Sequence, residues 1–157
     1  MQSLTDKGKQ DFFSILNIIF IALSVGQLVF FGIAFILASQ DGIKTNAELE
    51  SILIYISPVY SIAMIFFSRF MYNRISQSVD RSLDIKLKLL KYRTASIVSW
   101  ASLESATLFS LVSYLLTGNY IHLLIFAGVF AGFIINHPSK DKFMVDYNVT
   151  PEDIKEL

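Results

Sequence analysis

The sequence is 157 residues long, 54% of them hydrophobic and 17% charged, with no Cys and a formal net charge of zero. Ordinary soluble domains carry about 25% charged residues. The composition excludes a disordered chain, a disulfide-stapled scaffold, a Cys-ligated metal site and a basic nucleic-acid binder. The length allows one domain, so we expect residues 1–157 to form a single transmembrane domain.

Four apolar runs predict four membrane-spanning helices. The first, residues 12–38, has no formal charge. At 1.5 Å per residue it is about 40 Å long, enough to cross a hydrocarbon core of roughly 30 Å. No signal-peptide cleavage pattern follows it, so we expect this span to be retained. Helices of a soluble bundle would show a charged face, and these runs have none. The other three runs are residues 52–68, 95–117 and 120–136.

Local signals predict where the helices begin. Thr45 and Glu48 fit a capping box before the second span. Ser82 is expected to cap a helix that continues through a basic segment into the third span. Pro151 follows a Thr and precedes two acidic residues, a pattern typical of a helix start. It predicts a short cytoplasmic helix within the tail, residues 137–157.

Lys and Arg are concentrated on one side of the predicted membrane. The loop between the first two spans contains only Lys44, whereas residues 69–94 and the two termini hold all the other Lys and Arg residues. The positive-inside rule therefore predicts that both termini and residues 69–94 are cytoplasmic. A specific role of residues 69–94 in binding anionic lipid head groups is an alternative interpretation of the same charges.

Glu104 is the only charged residue inside a predicted span, and it lies near the middle of the third span. An ionisable group at that depth costs about 2.5–3.5 kcal/mol on insertion scales, which marks it as a candidate functional residue. Because burial without a counter-charge favours the neutral acid, we expect Glu104 to be protonated. Gln27, Tyr60 and Ser61 fall at the same depth, and we expect one of them to hydrogen bond to Glu104.

Two functions remain open for this polar layer. In the first, protonated Glu104 organises helix packing in a structural or accessory, oligomer-forming protein. In the second, Glu104 binds the proton or cation of a small transporter or channel, with Gln27, Tyr60 and Thr107 along the path. A Glu104 that faces lipid would instead indicate a contact between subunits. Trp100, one turn away, either completes a cationic-ligand site or packs as an interfacial aromatic.

Small residues at helical spacing predict close packing of the third and fourth spans against other helices. Packing within the four-helix bundle is the simpler interpretation, and a contact between subunits is the alternative. These residues are Ser99, Ser102, Ala106, Ser110 and Ser113 in the third span, and Gly128 and Gly132 in the fourth.

The sequence carries no recognised catalytic motif. It lacks the P-loop, zincin, nucleophile-elbow and dinucleotide-binding patterns, so we expect neither an enzyme nor a bound cofactor. His122 and His137 lie at opposite ends of the fourth span, which argues against a metal site. We expect His122 to face lipid head groups. The expected partners are the bilayer and a second copy or other subunits of a membrane complex, not nucleic acid.

A pattern of residues recurs through the last two spans and the tail: Lys91 to Ala95, Trp100 to Glu104, Ala106, Leu108, Phe109, Pro138, Ser139 and Lys142. In this pattern the chain resembles a family of small four-span bacterial membrane proteins of uncharacterised function. The resemblance implies a location in the bacterial inner membrane and no particular activity. Together with the predicted spans, the resemblance gives the expected fold: an all-α, up-down four-helix transmembrane bundle with both termini cytoplasmic.

Overall fold

The computed structural model describes residues 3–40, 47–79 and 84–150, and their side chains from residue 12 onward. The described residues form five helices and no strand, which confirms the predicted all-α class. The predicted caps at Thr45 and Ser82 and the helix at Pro151 lie outside the described residues. The helices are α1 (Ser3–Ser39), α2 (Ala47–Gln77), α3 (Ile85–Thr117), α4 (Ile121–Ile135) and α5 (Lys140–Tyr147).

Three of these helices, α1, α2 and α3, are long and apolar enough to cross a membrane. The fourth, α4, has 15 residues and is about 22 Å long, which is shorter than a hydrocarbon core of roughly 30 Å. It reaches the required length only together with α5, from which it is bent by 75°. Among the described residues there are therefore three helices that can span a membrane by length and composition, or four if the bent pair forms one span.

The basic segment at residues 69–94 is mostly helical. α2 continues to Gln77, well beyond the predicted end of the second span. α3 begins at Ile85, where the Asp84 side chain accepts a hydrogen bond from the Lys86 amide at 3.4 Å. α3 ends at Thr117, and the next residue, Gly118, has a left-handed φ of 67° that directs the chain into a tight turn before α4. The cations of this segment therefore lie mainly on helix ends rather than on a loop.

α3 lies at the centre of the molecule, and α1, α2 and α4 each pack against it. The contact with α2 is close because small hydroxyl side chains meet there. Ser68 Oγ and Ser99 Oγ are 2.7 Å apart, and Ser61 Oγ and Ser110 Oγ are 3.4 Å apart. The small residues of α3 named from the sequence are all buried within the chain: Ser99, Ser102, Ala106, Ser110 and Ser113.

α4 packs through its large apolar residues and not through its glycines. Phe126, Val129 and Phe133 are buried, and Phe133 stacks on Phe20 of α1 with ring centres 4.8 Å apart. Gly128 is exposed and Gly132 half-buried, and a Cβ atom at either position would meet nothing within 4 Å. The prediction that another helix of the same chain packs closely against these glycines is therefore wrong. The phenylalanines on the opposite face of α4 provide the contact surface instead.

α5 closes the end of the molecule where α2 ends and α3 begins. Ser139 caps α5 by accepting a hydrogen bond from the Lys142 amide at 3.1 Å. Aromatic rings then join α5 to α3: the Tyr92 ring lies 5.3 Å from Phe143 and 5.9 Å from Tyr147. This cluster makes α5 part of the core and not a detached tail.

Polar side chains are buried and large apolar side chains are exposed over much of the surface. Gln27 and Ser57 are fully buried, whereas Phe66, Leu124 and Ile135 are 72%, 70% and 82% exposed. In water, so extensive an apolar surface would favour association or aggregation. Among lipid chains the same surface is well solvated, so the molecule fits a membrane environment.

Candidate functional site

A hydrogen bond between α1 and α3 forms the first half of the polar layer. The Thr107 hydroxyl lies 2.7 Å from Gln27 Oε1 and 2.8 Å from the main-chain oxygen of Glu104. The Gln27 side chain is fully buried, and its Nε2 atom has no partner among the described residues. A hydroxyl has one proton, so Thr107 cannot donate fully to both oxygens. A 180° rotation of the Gln27 amide group exchanges its O and N atoms, so that Nε2 donates to Thr107 and the hydroxyl proton is free for the Glu104 carbonyl.

A second interhelical bond lies at the same depth, between α2 and α3. The Tyr60 hydroxyl shares a hydrogen bond with Ser105 Oγ, and the Tyr60 ring packs 4.8 Å from the Phe109 ring. Ser61 bonds instead to Ser110. The predicted residues therefore do bring polar groups to one depth. Their hydrogen-bond partners, however, are other residues of α3 near Glu104 and not Glu104 itself.

The expected hydrogen bond from Gln27, Tyr60 or Ser61 to the Glu104 carboxyl group is not made. Within the part of the chain that the structure describes, this carboxyl has no hydrogen-bond or ion-pair partner, and its side chain is half-buried. The reason is helical phase: side chains turn by about 100° per residue. The Ser105 side chain points towards α2 and the Thr107 side chain towards α1. The Glu104 side chain extends from α3 in a different direction from both.

Glu104 lies at the edge of an open strip of α3. The residues that share this strip are exposed or half-buried, and they lie on the side of α3 between α1 and α2, which make at most slight contact with each other through their described residues. We call this strip the Glu104 face. It consists of Ala101, Glu104, Leu108 and Val112.

Trp100 belongs to the core and not to the polar layer. The ring is 1% exposed, and Nε1 donates a hydrogen bond to the main-chain oxygen of Asn136 at 2.9 Å. The Phe20 ring packs edge-on against it, with ring centres 5.3 Å apart. The alternative of a cationic-ligand site with Glu104 is therefore wrong, because the Trp100 ring is enclosed between α1 and α4.

The expectation that His122 faces head groups is also wrong. Its side chain is fully buried, and both ring nitrogens lack a hydrogen-bond partner among the residues that the structure describes. Glu50 of α2 is near enough to interact with it electrostatically, and one Glu50 oxygen accepts a hydrogen bond from Asn119 Nδ2 at 2.9 Å. The sequence contains a pattern that indicates this burial. His122 has the helical spacing of the buried residues Phe126, Val129 and Phe133 and so lies on the same face of α4.

A polar cleft between the end of α2 and α5 could not be found from the sequence, because its walls come from distant segments. Its volume is about 300 Å³, and Tyr72, Ser76, Asp146 and Tyr147 are among the residues that line it. The Tyr72 hydroxyl donates to Asp146 Oδ2 at 2.5 Å. Beside it, Lys142 Nζ lies 4.6 Å from the centre of the Tyr72 ring. Burial lowers the pKa of Lys142, and the Asp146 carboxylate partly opposes this shift.

No group of three or more His, Asp or Glu side chains that could hold a metal ion occurs among the described residues. The polar groups that the structure brings together are hydroxyls, amides and single acids. Comparisons of the chain with protein-family models, with curated proteins and with solved structures find no match.

Proposed function

We propose that this chain is a non-enzymatic, multi-pass protein of the bacterial inner membrane that has a structural or accessory role and associates with a second copy of itself through the Glu104 face. The proposal includes four spans in an up-down bundle with both termini cytoplasmic. The uneven distribution of Lys and Arg and the resemblance in the last two spans support this location and orientation.

The unpartnered Glu104 carboxyl is the observation that carries the proposal. In hydrocarbon an ionised carboxylate is costly, and a neutral carboxyl still carries one donor and one acceptor that need partners. A two-fold symmetric dimer brings the same surface of both copies together. Two protonated Glu104 side chains can then donate a hydrogen bond to each other across the axis. Each carboxyl group thereby supplies the hydrogen-bond partner that the other lacks.

The neighbours of Glu104 favour such a contact. Ala101 is small and exposed, so a second helix can approach α3 closely at this position. Leu108 and Val112 extend the strip with apolar surface. On either side of it, the Gln27–Thr107 and Tyr60–Ser105 bonds hold α1 and α2 against α3. The face is therefore held in a fixed shape before association.

Cysteine cross-linking in native membranes tests this interface directly, because the chain contains no Cys. A disulfide needs Cα atoms within about 7 Å of each other. We expect Ala101→Cys to form a cross-linked dimer on mild oxidation. The matched control is Ala127→Cys, another exposed alanine on the glycine side of α4. Cross-linking at Ala127 alone would move the interface to α4, and no dimer at either position would contradict self-association.

A second candidate function is a small proton-coupled transporter or channel. Two observations favour it: buried serines line the contact of α2 with α3, and His122 is buried near one end of that contact with both ring nitrogens unpaired. Proton flux into liposomes that contain the purified protein separates the two functions. Flux that Glu104→Gln abolishes supports transport, because proton carriage needs both protonation states. Absence of flux in the wild-type protein supports the structural role.

A further inference from the structure

We propose that a cleft between the end of α2 and the start of α3 binds the phosphate group and one acyl chain of an anionic phospholipid. The cleft has a volume of about 570 Å³. Both cationic and apolar side chains line it, and they come from two helices. The lining residues used below are Met71, Arg74 and Ile75 of α2 and Leu87, Leu90 and Lys91 of α3.

The charges of the cleft match a phosphodiester. Arg74 lies on the α2 wall and Lys91 on the α3 wall, and both side chains are exposed. Among the described residues that line the cleft there is no Asp or Glu. An Arg guanidinium binds phosphate oxygens in a bidentate manner, and a Lys ammonium adds a compact charge. The two together favour an anionic lipid over a zwitterionic one, whose own cationic group they would repel.

The hydroxyl groups of the cleft already serve their own helices. Ser78 Oγ donates to the Ile75 carbonyl at 2.7 Å, and Thr94 Oγ1 donates to the Leu90 carbonyl at 3.0 Å. Their protons are therefore not available to a ligand. Recognition depends on the two cations, which fits a charged phosphate better than a neutral polar molecule.

The depth of the two cations also fits a lipid head group. Arg74 lies 14 residues beyond Tyr60, or about 21 Å along the helix, and Lys91 lies 13 residues before Glu104, or about 20 Å. Half of a hydrocarbon core is about 15 Å thick, and the head groups extend to about 20–22 Å. With Tyr60 and Glu104 near the midplane, both cations lie at the level of lipid phosphates.

Apolar side chains continue the cleft beside the cations. Leu87 and Leu90 are 47% and 53% exposed, and Met71 and Ile75 face them as half-buried residues of α2. Met71 lies three residues closer to the midplane than Arg74, so an acyl chain that runs inward from a phosphate at Arg74 and Lys91 can cover Met71, whereas Leu87 and Leu90 lie at or beyond the level of the phosphate. The contact with Met71 distinguishes a lipid from a free anion, which would gain nothing from it.

Lipid binding to the purified full-length protein, measured by native mass spectrometry at about 0.15 M ionic strength, tests the proposal. The probes are phosphatidylglycerol and phosphatidylcholine with identical acyl chains, and inorganic phosphate as a competitor. The test variant is Arg74→Gln/Lys91→Gln. The control is Lys86→Gln/Arg93→Gln, which removes one Lys and one Arg from exposed positions of α3 that do not line the cleft. Circular dichroism confirms that each variant keeps its helices.

We expect the wild-type protein to prefer phosphatidylglycerol and the test variant to bind it about 30-fold more weakly, since each basic residue strengthens binding about fivefold. The control should stay within about twofold of the wild type, because Lys86 and Arg93 do not line the cleft and their exposed charges are partly screened by salt. Equal weakening in both variants would overturn the site in favour of general charge attraction. Displacement of the lipid by millimolar inorganic phosphate would overturn it in favour of a free anion. If the double variant loses helix content, the single variants Arg74→Gln and Lys91→Gln serve, and unchanged binding in both would overturn the proposal.

Discussion

Trp100 Nε1 donates a hydrogen bond to the main-chain oxygen of Asn136 at 2.9 Å, and this bond joins the middle of α3 to the end of α4. The acceptor is a carbonyl group at the C-terminus of a helix, which has no partner within its own helix. Because the indole also fills the space between α1 and α4, Trp100 both packs the core and satisfies that helix end.

Replacing Trp100 by Phe keeps an aromatic ring but removes the donor. We expect Trp100→Phe to lower the free energy of unfolding by about 1–3 kcal/mol, because the Asn136 carbonyl loses its partner in a buried site. Unfolding in mixed detergent with increasing sodium dodecyl sulfate measures the change. Tyr55→Phe, which alters a 75% exposed ring on α2, is the control and should have no effect. Equal stabilities of Trp100→Phe and the wild type would contradict the role given to this bond.

The bond between Gln27 and Thr107 predicts an energetic coupling between α1 and α3. In a double-mutant cycle with Gln27→Leu and Thr107→Val, we expect a coupling energy of about 0.6 kcal/mol and at most about 1.7 kcal/mol, the range found for side-chain hydrogen bonds in membranes. The control cycle pairs Gln27→Leu with Thr94→Val, because the Thr94 hydroxyl bonds within its own helix. A coupling in the control as large as in the test pair would show that the effect is not specific to this bond.

The close contact of α2 with α3 predicts that size is critical at Ser110. This side chain is fully buried and lies against Ser61. Ser110→Leu should lower the free energy of unfolding by about 1–3 kcal/mol, because extra volume forces the helices apart. Ser14→Leu makes the same change at an exposed position of α1 and should change it little. A tolerated Leu at position 110 would mean that α2 and α3 are not held as closely as their serine pairs indicate.

The buried ring nitrogens of His122 predict that one substitution at this position will not destabilise the protein. Its two ring nitrogens are buried without partners, a cost of roughly 1–3 kcal/mol for each unpaired group. A Phe of similar shape has no such cost, so His122→Phe should leave the free energy of unfolding unchanged or raise it. His122→Ala should lower it through the cavity that it leaves. Marked destabilisation by Phe would reveal a polar partner, such as a bound water or ion, that the imidazole serves.

The sequence was sufficient for the three long apolar helices but not for α5, nor for the rotation of the helices about their own axes. Long apolar runs indicated α1, α2 and α3 correctly, and the depth of Gln27 and Tyr60 indicated one polar level. Depth does not specify direction, however. The single residue step from Glu104 to Ser105 turns the side chain by about 100°, which decides whether it meets α2 or open space. This is why Tyr60 bonds to Ser105 and not to Glu104.

Helix ends and long-range contacts were the other features that sequence patterns missed. The last turns of α2 carry Arg74 and other polar residues, so a search for apolar runs stops before the helix ends at Gln77. The contact of Tyr72 with Asp146 joins segments 74 residues apart, and no local pattern reports such a pair. Gly128 and Gly132 have the spacing of a close helix contact, but the packing of Phe126 and Phe133, which stacks Phe133 on Phe20, determines which face of α4 turns inward.

The association of the protein in lipid bilayers tests the proposed role of Glu104 most directly. Energy transfer between donor- and acceptor-labelled copies, followed as the protein is diluted with lipid, gives the free energy of association for the wild type, Glu104→Gln and Glu104→Leu. Gln keeps the size of the side chain and both a donor and an acceptor but cannot ionise. We expect Glu104→Gln to associate like the wild type and Glu104→Leu to associate more weakly by about 1–2 kcal/mol. Association that Glu104→Leu leaves unchanged would contradict the account.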